Sequence, residues 1–317
     1  MPSDTTSDGA PAAVDPLAPA PHEAPPALDP GPPASPPPRP APKGAGREVI
    51  YRHSRVVRIA HWLNVVLISL LLMSGLQIFN AHPRLYWGAY GADADRPWLE
   101  IAALDAATTR PKGVLRVAGH QFETSGLLGV SRGPDGQWAQ QGFPRWLTLP
   151  SWRDLATGRR WHFFLVWLFV ANGLVYLLAG ALNGHFRRDL APSGAQLAPR
   201  SILRSIGDHI RLRHPVGEAA KSYNVLQKLT YLAVIFLILP MMIVTGLAMS
   251  PGFDAAAPWL VGLLGGRQSA RGLHFVTANL IVLFVIVHVV EVIIAGVWNE
   301  LRSMITGRYV VRLEEGR

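Results

Sequence analysis

Two features of the sequence predict an all-α membrane protein folded as a four-transmembrane-helix bundle. Only 16% of the 317 residues are charged, whereas soluble domains average about 25%. Four apolar segments reach or approach the roughly 20 residues that a helix needs to cross a bilayer. Their hydrophobicity is continuous rather than alternating, which argues against the short spanning strands of a membrane β-barrel.

The N-terminal segment, residues 1–48, differs from the rest of the chain in composition. It contains 15 of the 27 prolines and few large apolar side chains. Such a segment cannot bury enough surface to offset the entropy lost on ordering. We therefore predict a disordered Pro/Ala-rich tail, either a docking tether or a dispensable extension, ahead of a membrane domain at 49–317.

The predicted spans are about 59–80, 161–184, 229–250 and 273–298, and Pro240 predicts a kink in the third. Lysine and arginine concentrate before the first span, between the second and third, and after the fourth. The loop between the third and fourth spans has only Arg267 and Arg271. The positive-inside rule therefore places both termini in the cytoplasm. Because topology and lipid headgroups account for the net charge of +9, no nucleic-acid partner is expected.

A long outer loop, residues 81–158, joins the first two spans. It carries five tryptophans and two turn-like stretches, Gly126–Gly129 and Arg132–Gly136, the second typical of a hairpin tip. Long structured loops are usually functional. We expect a compact outer cap that either docks a partner or shields the helix ends.

Histidines carry the predicted chemistry. The chain has no cysteine, which excludes cysteine-bound iron–sulfur clusters, thiolate zinc sites and covalent haem attachment through C-x-x-C-H. Histidine within a bilayer is rare and usually functional. His274 and His288 lie 14 residues apart on the fourth span, which places them on one helix face about 21 Å apart along the axis. This arrangement is what two haems stacked across a membrane require.

Each six-coordinate haem needs a second axial ligand at matching depth. Span direction puts His61 at the inner end with His288, and His162 at the outer end with His274. His185 is the alternative if His61 is not a ligand. Nearby basic residues could pair with haem propionates or anchor lipid headgroups instead: Arg58, Arg160 and Arg271. Three glycines either admit a porphyrin or serve helix contacts: Gly75, Gly173 and Gly180.

Several motifs together resemble a known family. The segments Arg58–Asn64, Arg160–Phe163 and Leu273–His288 resemble the bacterial cytochrome b561 / nickel-hydrogenase b-type cytochrome superfamily. Three further stretches are similar to its thiosulfate reductase cytochrome b subunit group: Ser74–Gly88, Arg267–Arg271 and Trp298–Arg308. The resemblance covers roughly residues 50–310. It implies two b-type haems ligated as paired above, and an inner-membrane subunit carrying electrons between quinone and a soluble subunit, often a periplasmic molybdopterin oxidoreductase.

Quinone exchange requires groups that handle protons close to a haem. Glu291 and Asn64 are the candidates on the inner side, although a structural hydrogen bond or an interfacial position is the favoured role of Glu291. With both axial positions of each iron filled, no catalytic residue is predicted. Two other functions remain open: a stand-alone cytochrome b561-type transmembrane reductase, and a non-redox membrane anchor or transporter.

Overall fold

A computed structural model of the chain describes residues 47–92, 95–106, 108, 111–211 and 222–312. Almost all of the predicted tail and part of the basic loop, residues 212–221, lie outside this range. The longer helices within it are α1 (Arg55–Asn80), α2 (Leu155–Leu182), α3 (Pro199–Ile210), α4 (Val225–Ala248) and α5 (Arg267–Thr306). All but α3 are long and apolar enough to cross a membrane.

The four long helices begin four to six residues before the predicted spans. Polar caps explain three of these starts, because the first backbone N–H groups of a helix need acceptors. Ser54 accepts from the third residue of its helix, and Asp154 does the same for α2. Asn224 and Gln227 form a reciprocal capping box at the start of α4. The apolar run marks the part of each helix within lipid, whereas the cap marks where the helix begins.

Two of the long helices are irregular. Within α4, a π-helical segment at Val234–Ile238 ends two residues before Pro240, where the missing proline N–H interrupts the hydrogen-bond ladder. Helix α5 contains Gly296 at φ 107° and ψ 84°, which is not a helical conformation. Only glycine adopts such a backbone geometry readily. The chain therefore changes direction inside α5.

The helices pack as two neighbouring pairs, α1 against α2 and α4 against α5. Leu67, Leu165 and Phe169 form a buried cluster between the first pair, and Leu239 and Ile243 of α4 pack against it. Much of the remaining apolar surface faces outward, including Trp167 (74% exposed) and Leu182 (78% exposed). Apolar surface this extensive is typical of lipid contact. The chain is a multi-pass membrane protein.

The all-α prediction is wrong for the outer loop and for the two ends of the described chain, which contain β-strands. A four-stranded antiparallel sheet contains β2 (Arg84–Leu85), β3 (Leu99–Leu104), β4 (Lys112–Val117) and β5 (His120–Glu123), in that order. A hairpin of β6 (Val130–Arg132) and β7 (Trp138–Gln140) follows, with the predicted tip between its strands. These strands are two to six residues long, too short to stand out against spans of more than 20 residues. Ala118 and Gly119, both at positive φ, form the tight turn between β4 and β5.

The two ends of the described chain also pair with each other. Strand β1 (Arg47–Tyr51) runs antiparallel to β8 (Arg308–Arg312). Arg52 lies over the rings of Tyr223 and Tyr309, at 4.9 and 4.5 Å from their centroids. These cation–π contacts join the ribbon to the segment leading into α4. Because β1 and β8 pair, the start of α1 and the end of α5 lie on the same side of the bundle.

Shorter helical elements lie in the connections between the long helices. Among the described residues they comprise one turn of 3₁₀-helix, one π-helical turn and three short α-helices: Arg145–Leu147, Phe186–Leu190, Gly194–Leu197, Pro251–Ala256 and Pro258–Leu263. The outer sheet is tied to the helices by packing and by Arg271. Phe79 of α1 stacks on Phe275 of α5 with centroids 4.8 Å apart, next to Leu85 and Ile101 of the sheet.

Candidate haem-ligand centres

The structure places four histidines of the bundle in two facing pairs. His61 of α1 lies beside His288 of α5, with ring centroids 6.2 Å apart. His162 of α2 lies beside His274 of α5, with ring centroids 6.4 Å apart. The α5 helix therefore supplies one histidine to each pair. We call the first the inner pair and the second the outer pair.

Both histidines of the outer pair contact a hydroxyl on a neighbouring helix. Ser74 Oγ of α1 lies 3.0 Å from Nδ1 of His162, and Thr245 Oγ1 of α4 lies 3.0 Å from Nδ1 of His274. Each hydroxyl also donates to the carbonyl four residues earlier in its own helix, at 2.8 and 2.6 Å respectively. With its proton used there, the hydroxyl oxygen can only accept from the imidazole. The network therefore assigns the proton to Nδ1 and leaves Nε2 as the lone-pair nitrogen.

A glycine follows each of these hydroxyl residues. A Cβ atom on Gly75 would lie 3.4 Å from Cε1 of His162, and one on Gly246 would lie 3.5 Å from Cε1 of His274. The absence of side chains lets the backbones of α1 and α4 lie against the edges of the two imidazoles. The sequence analysis singled out Gly75 but missed Ser74, Thr245 and Gly246. The available signal was a hydroxyl–glycine dipeptide inside two separate apolar spans.

The inner pair has aromatic neighbours instead of hydroxyls. Trp62 meets His61 edge-on with centroids 5.4 Å apart, and Phe284 stacks on His288 at 5.7 Å. Nδ1 of His61 is buried and has no hydrogen-bond partner among the described residues. A buried polar atom without a partner is costly and needs an explanation. The two pairs therefore differ chemically although their ring spacings, 6.2 and 6.4 Å, are similar.

The break at Gly296 explains how the end of α5 reaches the inner pair. Trp62 Nε1 donates to the Met304 carbonyl at 3.1 Å, and Arg58 donates to the Ile305 carbonyl. A straight helix would carry residue 304 about 24 Å beyond His288 along its axis. Since Arg58 and Trp62 both lie within one turn of His61, the final segment of α5 must turn back toward α1.

The spacing of the pairs fits a metal ion held between two imidazoles. Imidazole nitrogen binds metals at about 2 Å, so two rings on opposite sides of one ion have centroids roughly 6 Å apart. Among the described residues, no three His, Asp or Glu side chains come together to hold a metal ion. Each pair thus provides two opposed nitrogen ligands and no further protein ligand. A haem, which brings its own four equatorial nitrogens, fits this donor set.

The three arginines predicted near propionates have different surroundings. Arg271 donates to the carbonyls of Arg84, at 2.7 Å, and His82, and its guanidinium lies over the Phe79 ring. This contact holds the outer sheet against α5. Arg58 binds the end of α5, as described above, whereas Arg160 is exposed on α2. A propionate contact remains a prediction for all three.

The candidates for quinone contact are both hydrogen-bonded or paired within the bundle. Asn172 of α2 donates to Asn64 Oδ1 at 2.8 Å and to the Ala60 carbonyl at 3.0 Å. Glu291 Oε1 lies 3.7 Å from His209 Nε2, which links α5 to α3. Both candidates therefore also have a structural role.

A cleft of about 530 Å³ opens at the inner end, between the start of α1 and the end of α2. Among its lining residues are His185 and Asp189, whose Nδ1 and Oδ2 atoms lie 2.7 Å apart. Burial alone would raise the pKa of Asp189, but hydrogen bonds from Arg188 and His185 outweigh burial and lower it. Val57, one turn before His61, also lines the cleft. His185, the alternative ligand, thus contacts Asp189, while His61 is the residue beside His288.

Apolar spanning helices with facing imidazole pairs define a membrane cytochrome of the b type. Residues 52–307 match the family model for prokaryotic cytochrome b561, and the chain belongs to this family. The chain is also 27% identical over 261 residues to a protein of Azospira oryzae named putative protein-methionine-sulfoxide reductase subunit YedZ1. The match covers 82% of this chain and 98% of that relative. No solved structure matches the chain.

Proposed function

We propose that the protein is a di-haem electron-transfer subunit, carrying electrons between the quinone pool and a soluble oxidoreductase. The observation that supports this most strongly is that α5 contributes one histidine to each of two facing imidazole pairs, with ring centroids 6.2 and 6.4 Å apart. Their positions on α5 are about 21 Å apart along the helix axis. Bound haem supplies one-electron transfer, with a potential tuned by ligand hydrogen bonding and burial. The two histidines of each pair would hold one haem, and neither iron would then be open to a substrate.

The proposed orientation is a bacterial inner-membrane protein with both termini in the cytoplasm. Pairing of β1 with β8 supports the placement of both chain ends on one side. That side also carries exposed arginines on α3 and after α2, at Arg200, Arg204, Arg187 and Arg188. Positive residues retained on the cytoplasmic face are what the positive-inside rule requires. The outer sheet and hairpin then face the periplasm.

We place quinone exchange at the inner cleft. A quinol that gives up electrons also releases protons, so its site needs groups that accept them. The cleft provides the His185–Asp189 pair and lies one helical turn from His61. The Glu291–His209 pair is the second candidate proton-handling group on this side. Asn64, three residues after His61 on α1, is a candidate polar contact for the quinone.

The proposed partner is a soluble redox subunit, of the periplasmic molybdopterin class, bound at the outer sheet. The relative from Azospira oryzae is named as a subunit of a methionine-sulfoxide reductase, which supports a role in a complex rather than alone. The outer sheet is held rigidly to the bundle by Arg271 and by the Phe79–Phe275 stack. It lies close to the outer pair, from which electrons would leave or enter.

Haem counting tests this function directly. The purified full-length protein is compared with His274→Ala and His288→Ala by reduced-minus-oxidised spectra and pyridine haemochrome content. We expect two b-type haems per chain, and the loss of one in each variant. His120→Ala, on an exposed strand of the outer sheet, serves as the matched control and should retain both. One haem in the wild-type protein would contradict the pairing, and a folded protein without haem would contradict the function.

A further inference from the structure

The two histidine pairs differ in the hydrogen bonding of Nδ1. In the outer pair both Nδ1 atoms have a hydroxyl oxygen at 3.0 Å. In the inner pair Nδ1 of His61 has no hydrogen-bond partner among the described residues. Hydrogen bonds to the non-ligating nitrogen fix the tautomer of a metal-bound histidine and raise its basicity. The difference therefore acts directly on the properties of a bound iron.

Ser74 and Thr245 show the same construction on two different helices. Ser74 is fully buried and Thr245 is fully buried, both with a relative exposure of 0%. Each hydroxyl bonds back to the carbonyl four residues earlier and so has a fixed direction. Each is followed by a glycine whose missing side chain lets the imidazole approach. Helices α1 and α4 thus each contact one histidine of the outer pair through a hydroxyl residue followed by a glycine.

We infer that Ser74 and Thr245 are positioning residues that hold His162 and His274 as Nε2 ligands and lower the reduction potential of the haem they bind. The inference rests on the proposed function, because it requires haem at the outer pair. A hydroxyl oxygen accepting from Nδ1–H increases the electron donation of the imidazole. Stronger donation stabilises ferric over ferrous iron. The inner haem lacks this contact at His61 and should not respond to either hydroxyl.

The test is a redox titration of the purified full-length protein with Ser74→Ala and Thr245→Val, each monitored by haem absorbance and electron paramagnetic resonance. We expect the midpoint potential of one haem to rise in each variant, and the same haem in both, while the other keeps its potential. We also expect haem affinity at that site to fall by roughly 10- to 100-fold, as is usual when such a hydrogen bond is removed. Ser74→Thr and Thr245→Ser keep the hydroxyl and should restore both properties.

Two matched control variants remove hydroxyls that bond only within their own helix among the contacts described. Ser69 Oγ donates to the Val65 carbonyl at 2.7 Å in α1, and Thr277 Oγ1 donates to the Leu273 carbonyl at 2.7 Å in α5. Ser69→Ala and Thr277→Val should leave both potentials unchanged. A shift of equal size in these controls would show a general packing effect and overturn the inference.

The remaining outcomes separate this inference from the proposed function. If the wild-type protein binds two haems but neither hydroxyl variant shifts a potential, the inference is wrong and the function stands. A shift of different haems by Ser74→Ala and Thr245→Val would also overturn it, because the structure puts both hydroxyls at one pair. A wild-type protein with fewer than two haems would contradict the proposed function itself. Selective loss of one haem, restored by the hydroxyl-retaining variants, would support the inference.

Discussion

The side-chain amide of Asn172 donates a 2.8 Å hydrogen bond to the side-chain oxygen of Asn64 and so joins α2 to α1. The same amide donates to the Ala60 carbonyl at 3.0 Å, and Asn172 is only 8% exposed. Ala60 immediately precedes His61. This contact therefore fixes the rotation of the helix that carries one histidine of the inner pair.

Replacing Asn172 should loosen the inner half of the bundle. Interhelical hydrogen bonds within membranes contribute about 0.6 kcal/mol on average and up to about 1.7. Because Asn172→Ala removes two of them, we expect about 1 kcal/mol of lost stability, seen as a lower Tm in detergent. Asn279→Ala is the control, since its amide bonds only to the Phe275 carbonyl of its own helix among the contacts described. An equal loss in both variants would contradict an interhelical role.

The turn at Gly296 should be intolerant of a side chain. At φ 107° and ψ 84°, any residue with a side chain is strained. Replacing a glycine can stabilise a protein by up to about 1 kcal/mol because it restricts the unfolded chain, but at positive φ the strain outweighs this gain. We expect Gly296→Ala to displace the end of α5 from Arg58 and Trp62, and to lower haem retention at the inner pair. Gly262→Ala provides the comparison, because a Cβ atom there meets no neighbour and its φ is not positive. Unchanged haem content in both variants would disprove this prediction.

The outer sheet depends on a charge cluster around Glu100. Its two carboxylate oxygens accept from Arg84 and Arg116, both at 2.7 Å. Burial would raise the pKa of Glu100, but the hydrogen bonds from Arg116 and Arg84 outweigh it and lower the pKa below 4.5. The folded state therefore binds this proton less readily than the unfolded state. The stabilisation is present above pH 4.5 and is lost as the pH falls through the lowered pKa.

Glu100→Gln should mimic this loss at neutral pH. Hydrogen bonds to charged groups contribute about 1.5–3 kcal/mol each, and the uncharged glutamine side chain of the variant keeps only part of this contribution. We expect faster hydrogen exchange across β3 and β4 in the variant at pH 7, and a smaller difference from the wild-type protein at acid pH. Glu123→Gln breaks an exposed pair with Lys112 at 3.8 Å and should have little effect. Identical exchange in the wild-type and Glu100→Gln proteins would refute the role of the cluster.

The inner cleft is tested by Asp189→Asn. If the His185–Asp189 pair accepts protons from quinol, the variant should slow haem reduction by quinol by roughly 100-fold, the lower end of what a positioned general base contributes. Its haem content and reduction by dithionite should stay normal. Asp208→Asn on α3 is the control on the same side of the membrane. Normal quinol kinetics in Asp189→Asn would move the quinone site away from this cleft and toward Glu291.

Much of the architecture follows from the sequence because lipid imposes simple local requirements. A spanning helix must be about 20 residues long and apolar, so the four spans are readable without knowledge of any contact. The positions of His274 and His288 on one face follow from helical geometry alone. The depth of His61 and His162 follows from the direction of each span. Local rules therefore predicted which histidines lie at the same level.

Tertiary structure decided everything that depends on the rotation of one helix against another. The hydroxyl–glycine pairs at Ser74 and Thr245 are visible in the sequence, but only the packing of α1 and α4 shows that the hydroxyls contact His162 and His274. The strands of the outer cap are too short to be distinguished from loop by periodicity, and each is held by pairing with a neighbouring strand. The sequence by itself determined the membrane bundle and its histidines. Only packing determined the hydrogen bonds of these histidines, because contacts between helices leave no periodic pattern in the sequence.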